Sequence, residues 1–179
     1  MLSNRLAAQR FVTIVGVGGV GKTTLAVAVA HDLIEAFAGA VLFVDLGMLG
    51  DPELAATAVA SMLGLSVQSD DPTPNLIAYL RDKQILLILD TCEHLIEAVA
   101  PLAAQIFMEA PQVHILATSR EALRVEGEHV FKLDPLACPP DNAGLTAEVA
   151  QTFPATQLFV ERAAASRRST MRSSSDRRP

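Results

Sequence analysis

Short aliphatic and β-branched runs alternate along this chain with longer stretches whose apolar positions recur every three or four residues. The first run, Phe11–Val15, ends at Gly16 and predicts a buried strand. After a glycine-rich turn, Leu25, Ala26, Val29, Ala30, Leu33 and Phe37 repeat at helical spacing. Ala40–Leu46 (AVLFVDL) predicts a second buried strand closed by Gly47. Pro52–Leu63 reads as a helix, and Leu76–Lys83 as another after the Asp/Pro-rich loop at 70–74. Ile85–Asp90 (ILLILD) is a third strand, aliphatic until its terminal acid. Leu95 to Ala110 is helical, with Pro101 expected to restart it from a first-turn position. Val113–Thr118 gives a fourth strand and His129–Leu133 a weaker fifth. Strands alternating with helices predict an α/β fold, a three-layer α/β/α sandwich on a mostly parallel five-stranded sheet.

Composition sharpens this picture. Half of the 179 residues are apolar, yet there are seven Phe, one Tyr and no Trp. The interior must be built from Ala, Val, Leu and Ile, as in helix-covered parallel sheets. No apolar run reaches the roughly 18 residues of a membrane span. Met1–Arg10 lacks a signal-peptide pattern, so a cytoplasmic, membrane-free protein is expected. Cys92 and Cys138 follow neither CxxC nor Cys/His metal spacing and are expected to be buried, reduced thiols.

Net charge is −6, unevenly spread. Residues 1–161 hold 8 Lys/Arg against 19 Asp/Glu, and 162–179 hold 6 Arg against one Asp. An acidic body argues against a nucleic-acid surface on the domain. The arginines of the C-terminal end lack interleaved aromatics, so no specific nucleic-acid contact by this chain is expected.

The chemistry concentrates at Gly16-Val-Gly-Gly-Val-Gly-Lys-Thr-Thr24, which fits G-x-x-x-x-G-K-[ST] between a predicted strand and a predicted helix. Successive backbone N–H groups must turn inward around a phosphate, which calls for glycines at Gly16, Gly18, Gly19 and Gly21. Val20, Lys22, Thr23 and Thr24 complete the candidate phosphate contacts at the start of the helix. Lys22 would reach the β/γ-phosphates and Thr23 would coordinate Mg²⁺. A second acid for the metal is expected on a neighbouring strand, and Asp90, ending ILLILD, is the candidate.

A general base is harder to place. Thr91 stands where many P-loop ATPases carry Glu, and Glu93 follows three residues after Asp90. Two readings of Glu93 stand side by side: a carboxylate that activates water, or an early-helix acid set there by the dipole. His94 reads as structural or as a hydrogen-bonding partner. Arg120, after the fourth strand, reads either as a γ-phosphate sensor or as a surface arginine paired with Glu121 or Glu126.

Taken together, GVGGVGKTTLA, LLILDTCEHL, ILATSREALRVEGE, LDPLACPP and QLFVERAAA resemble the signal-transducing ATPases with numerous domains (STAND), related to NB-ARC domains. The likeness runs over about residues 9–165 and points to the ATPase module of bacterial winged helix-turn-helix and LuxR-type transcriptional regulators. It implies ATP or ADP with Mg²⁺ as ligands, with Lys22 and Thr23 at the phosphates. It also implies Asp90 as the Walker B acid and Arg120 as the sensor. ATP/ADP exchange would switch assembly, with slow hydrolysis, and the partners would be other copies or further regulator domains. Residue 91 is typically Asp or Asn in that class, so Thr91 points further toward weak hydrolysis. Partition-type ATPases of the ParA class carry a Lys where Val17 stands here, so that subclass is not expected.

The expected layout is a P-loop nucleotide-binding domain at 1–136, a linker and the start of a helical region at 137–165, and a disordered basic tail at 166–179. The chain leaves the family pattern after Ala165, which reads as truncation. Without the segment that usually covers adenine, weak binding with little discrimination of ATP from GTP is expected. The alternative function is a stand-alone ATPase enzyme, although neither a lid nor an acceptor site is visible in the sequence.

Overall fold

The computed structural model describes residues 2–66, 71–140, 146–158 and 160. Five strands, β1 (Phe11–Val15), β2 (Val41–Asp45), β3 (Leu86–Asp90), β4 (His114–Ser119) and β5 (His129–Lys132), form one sheet in the order β2-β3-β4-β1-β5. Every pairing is parallel, so the sheet is fully rather than mostly parallel. The register places Asp45 beside Asp90 and Val15 beside both Ser119 and Lys132, which aligns the carboxyl ends of the strands along one rim. Loops at that rim are where open α/β sheets bind their ligands.

Alternation along the strands builds two cores. Val12, Ile14, Leu86, Ile88 and Leu116 pack with Leu2 and Leu6 of α1 (Leu2–Ala8) and with Ala26 and Val29 of α2 (Lys22–Leu33). Their sequence neighbours Phe11, Leu87, Leu89, Ile115 and Ala117 face the other way. There they meet α3 (Leu54–Met62), α4 (Thr73–Leu80) and α5 (Ile96–Glu109). β3 is buried over its whole length, as its unbroken aliphatic run required. β2 is not: only Val44 is fully buried, because the strand order leaves β2 at the sheet edge. The expectation of a second fully buried strand is corrected accordingly.

Two helical expectations also change. α1 was not foreseen, since seven residues carrying two buried leucines present too few repeats to show a period. Pro101 does not restart a helix but lies within the continuous α5. The carbonyl it strands, four residues back, belongs to Glu97, and both residues are exposed, so water can satisfy that group. A short 3₁₀ turn, Cys92–His94, leads into α5. At the other end of α5, the Arg10 guanidinium donates to the carbonyls of Phe107, Ala110 and Val113 and lies 4.3 Å from the centre of the Phe107 ring. A cation there complements the helix dipole and ties the start of β1 to α5.

Cys92 is buried as expected, but Cys138 is exposed. The Pro-rich segment around Cys138 has no strand or helix to bury it. Contacts divide the chain into two compact units, Met1–Asp134 and Pro135–Pro179. Within the second, α6 (Ala147–Ala150) is capped by Thr146, whose hydroxyl accepts from the Val149 N–H. Residues 154–158 are also helical. The rest of the helical region expected within 137–165, beyond residue 160, lies outside the described residues, as does the tail at 166–179. No described helix is long and apolar enough to cross a membrane.

Candidate functional site

The loop between β1 and α2 owes its shape to its glycines. A Cβ on Gly16 would come within 2.7 Å of the Leu133 carbonyl oxygen and 2.9 Å of Val20, so no other residue fits. Gly21, at φ 100°, closes the loop and precedes the first residue of α2 in a conformation that side chains rarely adopt. The loop is pinned at its base by the Gly16 N–H donating to the Ser119 carbonyl at 3.3 Å.

What the loop leaves open matters more. Among the described residues, the N–H groups of Gly18, Gly19, Gly21, Lys22, Thr23 and Thr24 donate to no backbone carbonyl, and Gly21 offers no side-chain cap. Unsatisfied donors gathered at a helix start form an anion site. Lys22 bends back over the loop, its Nζ donating to Gly16 O at 2.9 Å and Val17 O at 3.2 Å. Its charge is thus held inside the same ring.

Asp90, 4% exposed, is enclosed by hydroxyls. Thr118 Oγ1 donates to its Oδ1 at 2.6 Å, Thr23 Oγ1 to both oxygens at 2.9 and 3.0 Å, and Thr91 Oγ1 to its Oδ2 at 3.2 Å. The Thr91 N–H in turn donates to Thr118 Oγ1 at 2.9 Å. Asp90 does not lie on a strand neighbouring the loop, because β4 stands between β1 and β3. The helix-borne Thr23 spans that gap. Among the described residues there is no cluster of three or more His, Cys, Asp or Glu that would cage a metal. One carboxylate beside one hydroxyl still suits Mg²⁺, which keeps several waters and takes phosphate oxygens for the rest. The donor set therefore fits that ion.

Glu93 and Arg120 face one another. Arg120 Nε donates to Glu93 Oε1 at 3.1 Å, whereas Glu121 pairs with Arg124. Glu93 Oε2 is buried and has no hydrogen-bond partner. Arg120 Nη2 lies 3.5 Å from where a Gly18 Cβ would stand, so the guanidinium leans over the loop. His94 is exposed.

One cavity of about 360 Å³ is lined by Gly18, Gly19, Gly21, Lys22, Thr23, Thr24, Thr91, Glu93, Thr118 and Arg120, with the buried Asp90 behind Thr23 and Thr118 rather than on its wall and His94 outside it. Of the glycine-loop candidates, Gly16 and Val20 sit behind it as supports rather than on its wall. A second cavity of about 390 Å³ shares Glu93 and is lined by Glu97 and by Glu121 with its partner Arg124, which gives it more carboxylates than cations. The first combines free N–H donors with a lysine and is the candidate anion site. Thr118 was not singled out from sequence as a partner of Asp90. The only signal was a polar residue following the apolar run Ile115–Ala117.

Comparison with known proteins places these features in context. The family model for the NB-ARC domain matches residues 1–128. A Mycobacterium tuberculosis protein named "Putative HTH-type transcriptional regulator" is 33% identical over 144 residues, covering 80% of this chain and 16% of its own length. The regulatory protein AfsR of Streptomyces griseus is 32% identical over 137 residues, covering 69% of this chain and 13% of its length. This chain thus spans a small fraction of either relative. Among solved structures, Cdc6p from Pyrobaculum aerophilum has a TM-score of 0.52 at 16% identity, over 69% of this chain and 38% of that one. That likeness concerns the fold alone.

Proposed function

This chain belongs to the NB-ARC domain family, and on that premise we propose that it is the ATP/ADP-binding switch module of a larger transcriptional regulator. The observation that carries the reading is the ring of unengaged N–H groups at the start of α2, closed by Lys22 and set beside the Thr23–Asp90 pair. That ring offers donors and positive charge to a phosphate chain, and the hydroxyl–carboxylate pair offers a seat for Mg²⁺. Such an ion, when bound, neutralises charge on the phosphate oxygens.

The protein's own residues divide the work. The backbone of Gly18–Thr24 orients the phosphates, and Lys22 neutralises the outer ones. Asp90, held by Thr118 and Thr91, keeps its carboxylate aimed at Thr23. Arg120 is placed to sense the terminal phosphate. Slow hydrolysis follows from two features. Thr91 cannot act as a base at neutral pH. The Glu93 oxygen not paired with Arg120 is buried, which closes it to water. The relatives' names supply the regulatory context, and binding to other domains or to further copies of the chain belongs to the same proposal.

Lys22→Ala tests the reading. With MgATP at one hundred times Kd, bound ligand should stabilise the parent by about 2.7 kcal/mol in thermal unfolding. The variant should lose that gain. Equal stabilisation of both proteins would remove the phosphate assignment.

A further inference from the structure

We propose that Glu93 is a positioning residue that sets how strongly this site prefers a nucleoside triphosphate over a diphosphate, by holding the Nε of Arg120 in an ion pair that competes with a terminal phosphate for the guanidinium. The proposal rests on the nucleotide reading above. It turns on a competition for one guanidinium.

The two partners are unequal in freedom. Glu93 sits on the Cys92–His94 turn, anchored by the buried Cys92 and Leu95, and its side chain is 19% exposed. Arg120 is 67% exposed and can swing. Both line the cavity that holds Lys22 and Thr23. Arg120 spends its Nε on Glu93 while its Nη2 already lies over Gly18, so only a short movement separates the carboxylate from the phosphate loop.

The carboxylate is also poorly satisfied. Oε1 has the Arg120 contact and Oε2 has no partner, which leaves a largely buried negative charge dependent on a single donor. Taking Arg120 away strips that charge of its one donor and leaves it facing the incoming anion. A triphosphate that recruits Arg120 must therefore overcome both the lost pair and the repulsion. A diphosphate lacks the competing group and leaves the pair in place. In this state the Arg120 Nε is engaged and the second carboxylate oxygen is closed to water.

The experiment is calorimetric titration of the full chain with the Mg²⁺ complexes of a non-hydrolysable ATP analogue and of ADP. Glu93→Gln keeps the volume and removes the charge. It should tighten the triphosphate about tenfold, the scale of one charge-assisted hydrogen bond, and leave the diphosphate within about twofold. Glu93→Asp withdraws the carboxylate by one methylene and should move the ratio the same way by less, which keeps the test alive should Glu93→Gln not fold. In an Arg120→Gln background, Glu93→Gln should no longer favour the triphosphate. An unchanged triphosphate-to-diphosphate ratio in Glu93→Gln, with both ligands bound, would overturn the latch and leave the nucleotide reading standing. Failure of the parent to bind either nucleotide would overturn the nucleotide reading and the latch together.

Discussion

Thr91→Asn should raise the stability of the Met1–Asp134 unit, because the turn after Asp90 holds a threonine where threonine fits badly. Thr91 has φ 63° and ψ 52°, in the left-handed region. That region costs an L-residue about 1–2 kcal/mol, and a branched Cβ puts threonine among the true outliers there. Asparagine visits it far more readily. Against that gain stands the Thr91 hydroxyl's bond to Asp90 Oδ2 at 3.2 Å, a half-buried contact of about 0.5–1 kcal/mol. The asparagine amide can donate to the same carboxylate, and the backbone N–H keeps its bond to Thr118 whatever side chain stands at 91. The net expectation is about 1 kcal/mol of added stability, or roughly 2–4 °C in Tm for a unit of this size. Thr91→Ala is the control: it keeps a Cβ in the same conformation and loses the hydroxyl, so it should fall by about 1 kcal/mol. Urea unfolding, with thermal melts as a second probe, measures both. If the two variants fall together, the turn stores no strain and the hydroxyl is what matters.

Two further outcomes follow from the interior. Thr13 Oγ1 is buried in β1 with no hydrogen-bond partner, so Thr13→Val should shift the urea midpoint upward by about 1–2 kcal/mol of stability. A downward shift would mean that the hydroxyl is satisfied after all. Burial, followed by the charges of Asp90 and Glu93, pushes the Cys92 thiol up from 9.0 to about 12. At pH 8 a thiol reagent should therefore modify one cysteine per folded chain, the exposed Cys138, and reach Cys92 only on unfolding. Because the folded value is the higher one, this group's contribution to stability is complete below pH 9 and is lost as pH rises toward 12. Rapid modification of both thiols in the native protein would contradict the burial.

The sequence alone carried the features that depend on neighbouring residues. Glycine spacing at Gly16–Gly21 and the Lys-Thr-Thr that follows announce a tight turn opening a helix, because φ freedom and N–H exposure are properties of consecutive residues. Aliphatic runs such as Ile85–Leu89 announce strands for the same reason, and an acid ending one of them, Asp90, stands out against its own run. α1 and the uninterrupted passage of α5 through Pro101 escaped that reading: the first is too short to show a period, and the second depends on which side of the helix faces water. Strand order was beyond it as well. Only the folded sheet inserts β4 between β1 and β3, puts β2 at an edge, and brings Thr118 against Asp90. The same holds for the pairing of Arg120 with Glu93 instead of Glu121 or Glu126, across 27 residues, and for the left-handed turn at Thr91. Those arrangements arise when separate strands align their carboxyl ends on one rim. Local sequence sets which groups are available there, and packing of the whole sheet decides which of them meet.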